Sequence, residues 1–221
     1  MKLLFDCDGT LIDSMGLWLK SMKDLIEKSG HSLETMSESD RIQIESLSYE
    51  DCVKYIWEHF VTGMSEEEVT AYFDSILENG YKNSIPAKEG VIETIKALHD
   101  KGYEMAVASS NSFFLLKAAL KRIGIFDHFT EFFTPDLTNL KKSQVEFWEN
   151  AAKILDTDTK NLILFDDAGY ALDAAKKAGV KTCGIKDFPW NEKEWDEIKE
   201  ISDYAIDGIG DFDYKNLAKI N

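Results

Sequence analysis

The feature that most constrains the fold is a set of short apolar runs, each of which stops abruptly at polar residues. The runs are Lys2 to Phe5, Met105 to Ala108, Leu162 to Phe165 and Thr182 to Ile185. Continuous apolar runs of this length are typical of buried parallel strands. Helical patterns lie between them, over residues 91–98, 114–123 and 145–155. This alternation predicts βαβ units and an α/β fold with a Rossmann-like parallel sheet covered by helices.

Residues 15–83 show no strand pattern and read as helical throughout. Ser14 is placed to cap a first helix. Ser48 and Ser65 each begin a capping-box pattern ahead of apolar residues at helical spacing, and Gly80 is placed to end the last helix. The sequence therefore predicts an all-helical module inserted after the first strand.

Composition limits the partners of the chain. The formal net charge is −16, and an acidic surface repels nucleic acid and anionic membranes, so we expect neither as a partner. No apolar stretch approaches the length of a membrane span. The three cysteines are widely spaced and form no CxxC pair, which favours a reducing compartment. We expect a monomer in the cytoplasm.

Polar residues follow the predicted strands where ligands bind in open α/β sheets. Asp6 and Asp8 follow the first run, and Asp166 and Asp167 follow another. Adjacent acids at a buried strand end repel each other, and a divalent cation with a preference for oxygen, such as Mg²⁺, relieves that repulsion. Each signal alone is ordinary, since Asp is common in turns and Ser in helix caps. The other candidates near this edge are Ser109, Ser110, Asn111, Lys141 and Lys142.

These residues, taken in order, resemble the motifs of the haloacid dehalogenase superfamily. Residues 5–11 match its DxDGT motif, 105–109 its second motif, and 162–167 its fourth. Lys141 is similar to the lysine of its third motif, but Lys142 stands where a proline is usual. Which of the two lysines would bind the phosphoryl group therefore stays open. The resemblance covers the whole chain and is to the branch with small helical caps, which includes β-phosphoglucomutases and phosphoglycolate phosphatases. It implies a core domain of 1–14 and 84–221 with a cap domain of 15–83.

The resemblance also implies roles. Asp6 is the expected nucleophile, which forms an aspartyl-phosphate, and Asp8 is the expected general acid and base. The implied Mg²⁺ ligands are Asp6, the backbone carbonyl of Asp8, and Asp167 with help from Asp166. The residues expected to contact the phosphoryl group are Ser109, Ser110, Asn111, Lys141 and Thr10.

The expected activity is a magnesium-dependent phosphatase that acts on a small phosphorylated metabolite. The presence of Asp8 argues against a dehalogenase or a phosphonate-cleaving enzyme, because those relatives lack this second aspartate. A sugar phosphomutase is the first alternative, although Tyr49 stands where β-phosphoglucomutases carry an arginine that binds the second phosphate of the substrate. A non-catalytic phosphometabolite-binding protein is the second alternative.

Overall fold

The computed structural model describes residues 1–32, 36, 37, 39, 40, 43, 44 and 47–213. Six parallel strands form one sheet in the order β3-β2-β1-β4-β5-β6. They are β1 (Lys2–Phe5), β2 (Met105–Ala108), β3 (Glu131–Phe133), β4 (Leu162–Asp166), β5 (Lys181–Ile185) and β6 (Tyr204–Ile206). The strand order reverses its direction between β1 and β4, and that is where an open α/β sheet binds ligands.

The central strands are apolar because both faces of the sheet are covered. Phe5 packs into the core on one face and Leu4 into the core on the other. Phe5 lies beside Phe165 in the parallel register of β1 and β4. The next residues, Asp6 and Asp166, therefore lie at the same level, where the two strands end.

The α/β fold class and all four predicted strands are confirmed. The sequence did not predict β3 or β6, which are three residues long and lie at the two edges of the sheet. An edge strand is only partly buried, so it carries no long apolar run: β6 has exposed residues, and β3 begins with an exposed glutamate.

Helices connect the strands and cover the sheet. Among the described residues, no helix combines the length and apolar character that crossing a membrane requires. The helices are α1 (Met15–Lys28), α2 (Tyr49–Phe60), α3 (Glu66–Asn83), α4 (Val91–Asp100), α5 (Phe113–Arg122), α6 (Pro135–Thr138), α7 (Val145–Ile154), α8 (Gly169–Lys177) and α9 (Trp195–Ile201).

The predicted helix caps are confirmed only in part. Ser65 and Glu68 form a complete capping box at the start of α3. Ser48 accepts from the Asp51 backbone at the start of α2, but the Asp51 carboxylate accepts from the Ser48 hydroxyl rather than from its backbone, so the reciprocal half is missing. Ser14 makes no capping bond, because its hydroxyl turns instead toward the site described below.

Gly80 does not end α3, which continues to Asn83. A β-carbon at Gly80 would lie 2.2 Å from Leu17 Cδ2, so this glycine allows α3 to approach α1 closely. Buried residues of α1, α2 and α3 belong to the same apolar core as one face of the sheet. The division into a core domain and a cap of residues 15–83, part of which lies outside the described residues, stays a prediction.

Candidate active site

A tight loop after β1 presents the first two candidate acids. The Asp6 backbone amide donates to Phe165 O at 2.8 Å, which continues the pairing of β1 with β4 for one residue. Gly9 then adopts a φ of +87°, in the left-handed region that favours glycine. A β-carbon at Gly9 would lie 2.4 Å from Asp167 Oδ2. Glycine is therefore required both by the turn and by the approach of the β4 acid.

Three carboxylates meet at the ends of β1 and β4. Asp6, Asp166 and Asp167 are all buried, and one oxygen from each lies within 4.8 Å of the others. Burial, followed by the neighbouring acids, raises the pKa of Asp167 to about 8. Burial likewise raises the pKa of Asp6 and of Asp166, against the opposing effect of a nearby lysine. Asp6 Oδ2 is buried without a hydrogen-bond partner among the described residues, so this cluster has an oxygen available to a cation or a substrate.

The nearby lysine is Lys142. Its Nζ lies 2.6 Å from Asp6 Oδ1 and 2.6 Å from Asp166 Oδ2, and the side chain is only 1% exposed. Burial alone would lower its pKa, but Asp166 and Asp6 outweigh that effect and raise it, so the lysine is held charged. The Trp148 indole donates to Lys142 O at 3.1 Å and fixes the backbone from which this side chain reaches the acids.

Lys141, the lysine chosen from the motif, lies elsewhere. Its Nζ pairs with Asp51 Oδ2 on α2 at 2.8 Å, and both side chains are more than two-fifths exposed. The two neighbouring lysines therefore point in different directions, and Lys142 is the one that reaches the acids. The structure places the Lys142 side chain beside the buried acids and the Lys141 side chain outside that cluster.

Asp8 points to a different group of side chains. Its Oδ1 accepts from the Ser14 hydroxyl at 2.5 Å and from the Tyr81 hydroxyl, and its Oδ2 accepts from Asn111 Nδ2 at 3.0 Å. Ser14 precedes α1, Tyr81 lies near the end of α3, and Asn111 follows β2. Three separate parts of the chain therefore hold this one carboxylate.

The direction of the Tyr81 hydroxyl proton follows from its other partners. Trp18 Nε1 approaches Tyr81 Oη at 2.9 Å, and Asn111 Nδ2 approaches it at 2.8 Å. The amide orientation of Asn111 is settled because its Oδ1 accepts from the Ser112 backbone at 2.8 Å. Both nitrogens can only donate, so the Tyr81 proton must point to Asp8. No sequence motif indicated this tyrosine, which lies 73 residues from Asp8.

The predicted hydroxyl residues are divided between two places. Ser109 and Ser110 line a cavity beside Asp6 and Asp8. The Ser109 hydroxyl accepts from the Asn111 backbone at 3.1 Å, and the Ser110 hydroxyl lies 2.9 Å from the Tyr170 hydroxyl. Thr10 does not line that cavity. It is buried and donates to Asp167 Oδ1 at 2.9 Å, so it orients an acid of the cluster.

Two further residues follow β5 and were not predicted as part of the site. Asn191 Nδ2 donates to Asp167 O at 3.0 Å and to Ile185 O at 2.9 Å, which ties the ends of β4 and β5 together. Asp187 is buried, pairs with Lys88, and contributes to the raised pKa of Asp167. Both residues follow an apolar strand, so the rule that identified Asp6 and Asp166 could have found them.

The cavity above these groups has a volume of about 210 Å³. Its polar end contains the Asp6, Asp8 and Lys142 side chains, and residues of α1, of α2 and of the segment before α2 form much of the rest. The arrangement can bind an anionic group next to a buried carboxylate that carries a free oxygen. It also places a second, separately held carboxylate two residues along the chain.

Known proteins are similar to this chain over most of its length. The pyrophosphatase PpaX of Listeria monocytogenes is 24% identical over 216 residues, which cover 95% of this chain and 93% of that protein. A protein carrying the PpaX name in Clostridium perfringens is 30% identical over 184 residues, 83% of this chain and 82% of its own.

Solved structures share the fold at lower sequence identity. A β-phosphoglucomutase of Clostridium difficile superposes with a TM-score of 0.76 at 18% identity and covers 99% of this chain and 96% of its own. A mutant form of CbbY from Rhodobacter sphaeroides, in complex with xylulose-(1,5)bisphosphate, superposes with a TM-score of 0.75 at 17% identity, with 95% of each chain covered. The model of the haloacid dehalogenase-like hydrolase family matches residues 3–185, which run from the second residue of β1 to the last residue of β5. The chain belongs to the haloacid dehalogenase-like hydrolase family.

Proposed function

We propose that this hydrolase is a Mg²⁺-dependent phosphatase that cleaves a small phosphorylated metabolite through an aspartyl-phosphate on Asp6. One observation carries the proposal. The Asp6 carboxylate is buried with Lys142 on Oδ1, while Oδ2 has no hydrogen-bond partner among the described residues. A nucleophilic carboxylate needs such an oxygen, and the substrate needs a cation next to it.

The donor set fits a magnesium ion. Asp6, Asp166 and Asp167 offer three buried carboxylates, and among the described lining residues Lys142 is the one cation that balances them. When ionised, the four groups carry a net charge of about −2, which a divalent cation with oxygen ligands neutralises. These three aspartates would hold the ion, which when bound withdraws negative charge from the phosphoryl oxygens.

The chemical steps are then assigned to the chain's own residues. An oxygen of Asp6 attacks phosphorus and the bond to the leaving oxygen breaks, while Asp8 gives that oxygen a proton. In the second step Asp8 takes a proton from water, whose oxygen attacks the phosphorus and releases Asp6 and inorganic phosphate. Lys142 and Ser109 bind the transferring phosphoryl oxygens in both steps.

We assign the segment 15–83 to a cap over this site. Support comes from α1 and the residues around the start of α2, which line the cavity. Tyr81, near the end of the segment, holds Asp8 together with Ser14, the residue that directly precedes the segment. We also assign the protein to the cytoplasm as a monomer. Cys7, Cys52 and Cys183 are all free and buried, which suits a reducing compartment.

A sugar phosphomutase remains the alternative to test. Such an enzyme needs a cation for the second phosphate of its substrate, and Tyr49 occupies the position where β-phosphoglucomutases carry the arginine. In this structure the Tyr49 hydroxyl donates to Asp74, so it is already occupied. This contact favours hydrolysis over transfer to a second hydroxyl.

The test is an assay of purified protein on 4-nitrophenyl phosphate with Mg²⁺ and with excess chelator. We expect turnover with Mg²⁺, loss on chelation and recovery on adding Mg²⁺ back. A second arm supplies a sugar 1-phosphate, for which free sugar and phosphate are expected. Accumulation of the sugar 6-phosphate would identify a mutase, and turnover that survives chelation would contradict the metal assignment.

A further inference from the structure

The cavity lining beyond the acids is mostly apolar. Parts of α1, the chain before α2 and the loop after β5 contribute side chains that offer ring atoms, methylenes or sulfur. A β-carbon at Gly16 would lie 3.7 Å from the Trp190 ring, so the loop after β5 packs against the start of α1. We call six of the lining residues the apolar wall: Met15, Trp18, Met22, Leu47, Tyr49 and Trp190.

The polar atoms of the two aromatic residues on the cap side are used within the protein. Trp18 Nε1 donates to the Tyr81 hydroxyl at 2.9 Å, and the Tyr49 hydroxyl donates to Asp74. The two rings meet edge to face, with centroids 5.7 Å apart. Burial raises the pKa of the neighbouring Cys52 thiol to about 12, so it stays neutral. What Trp18 and Tyr49 offer a substrate is therefore hydrocarbon surface.

The charges around the cavity do not suit a second anionic group. Among the described residues that line it, Lys142 is the only cation, and it is already paired with Asp6. Lys141 does not line the cavity and pairs with Asp51 instead. Glu194 lines it and adds negative charge. An anionic leaving group would meet carboxylates and apolar carbon, and both are unfavourable to it.

We infer that the substrate is a phosphate monoester of a small, uncharged alkyl or aryl alcohol, whose carbon chain or ring lies against the apolar wall. The inference rests on the proposed phosphatase function and names its substrate class. A volume of about 210 Å³ is small, because sites for drug-sized ligands span roughly 300–1,000 Å³. It suits a phosphoryl group with one ring or a short chain.

The test measures kcat/KM by phosphate release over methyl, ethyl, propyl and butyl phosphate. These primary alcohols are similar leaving groups, so the series varies apolar contact with little change in chemistry. We expect kcat/KM to rise about fourfold per added methylene until the cavity is filled. Phosphoglycolate, which is ethyl phosphate with a carboxylate in place of its methyl group, and pyrophosphate should each be at least about tenfold poorer than propyl phosphate, since their leaving groups are charged.

Variants at Met22 test whether the apolar wall causes the dependence of kcat/KM on chain length. Met22→Ser should flatten the dependence on chain length, whereas Met22→Leu should retain it because the apolar volume is kept. Met64 is a partly buried methionine that does not line the cavity, so Met64→Ser should leave the slope unchanged.

Each outcome bears on one proposal or on both. A flat series, an unchanged slope in Met22→Ser, or a preference for phosphoglycolate or pyrophosphate over propyl phosphate would overturn the substrate class and leave the phosphatase intact. Arg41 lies outside the described residues. A pyrophosphate preference that disappears in Arg41→Ala would show that this cation sets specificity, and it too would overturn the inference. No hydrolysis of any ester in the presence of Mg²⁺ would overturn the phosphatase and the substrate class together.

Discussion

Replacing Tyr81 by phenylalanine tests whether α3 holds Asp8 in its catalytic position. The change removes the hydroxyl that donates to Asp8 and accepts from Trp18 and Asn111. The ring stays, so the fully buried packing of Tyr81 is retained. Asp8 keeps its bonds to Ser14 and Asn111 but loses the contact from α3.

The size of the effect follows from the bonds removed. A hydrogen bond to a charged group contributes about 1.5–3 kcal/mol, and the N–H of the partly buried Trp18 is left without its acceptor, so the free energy of unfolding should fall by about 2–4 kcal/mol. If about 1.4 kcal/mol of that free energy is used to orient Asp8 in the transition state, turnover falls about tenfold. The protein should remain folded, since small domains are commonly stable by about 5–15 kcal/mol.

The assay is rapid-mixing kinetics with 4-nitrophenyl phosphate. Nitrophenolate needs little protonation, so the first step, seen as a burst, should be nearly unchanged. Hydrolysis of the aspartyl-phosphate needs Asp8 as base, so the steady-state rate should fall and phosphoenzyme should accumulate. The control is Tyr55→Phe, which removes another tyrosine–aspartate hydrogen bond, to Asp40, without touching Asp8. An equal loss in both phases of Tyr81→Phe, or no loss in either, would refute the positioning role.

Three further predictions concern the lysines, the turn and the acids. Lys142→Met should reduce kcat/KM on an aryl phosphate by about 100-fold or more, while Lys141→Met should change it by less than about threefold. Equal losses in the two variants would contradict the placement of the two lysines. Gly9→Ala should lower the free energy of unfolding, measured by chemical denaturation, by about 1–3 kcal/mol and abolish activity. The reason is that φ of Gly9 is positive and that Asp167 occupies the space of a β-carbon. Wild-type stability of this variant would contradict the prediction. The pKa of Asp167 is about 8 in the folded chain, whereas an unperturbed aspartate has a pKa of about 3.8. The metal-free folded protein therefore holds an extra proton between these values and should lose stability as pH rises through that window. Mg²⁺ replaces that proton, so its effect on Tm should be larger at pH 8 than at pH 6, and an equal shift at both would contradict the acid cluster.

The sequence predicted the strand-end acids because one rule governs them. A parallel sheet brings the carboxyl ends of its strands to one edge, so Asp6 and Asp166 could be placed together from two apolar runs. The same rule applied to β5 would have drawn attention to Asp187 and Asn191.

Other parts of the site depend on packing that a linear pattern does not contain. Tyr81 reaches Asp8 only because α3 packs against α1 and α5, and its place in the sequence is that of an ordinary helix residue. Gly80 resembles a helix terminator in sequence, but close contact with α1 is what requires it. The direction of the turn after α6 decides whether Lys141 or Lys142 reaches the acids. The residues of this turn show no hydrophobic periodicity from which that direction could be predicted.

The central claim is that Asp6 carries the phosphoryl group, and trapping that group tests it most directly. Asp8→Asn, incubated with an activated aryl phosphate and Mg²⁺ and quenched in acid, should accumulate a phosphorylated protein because the second step lacks its base. Peptide mass spectrometry should locate the group on Asp6, and the double variant Asp6→Asn with Asp8→Asn should carry none. Phosphate found on Ser109 or Ser110, or full turnover by Asp6→Asn alone, would contradict the account.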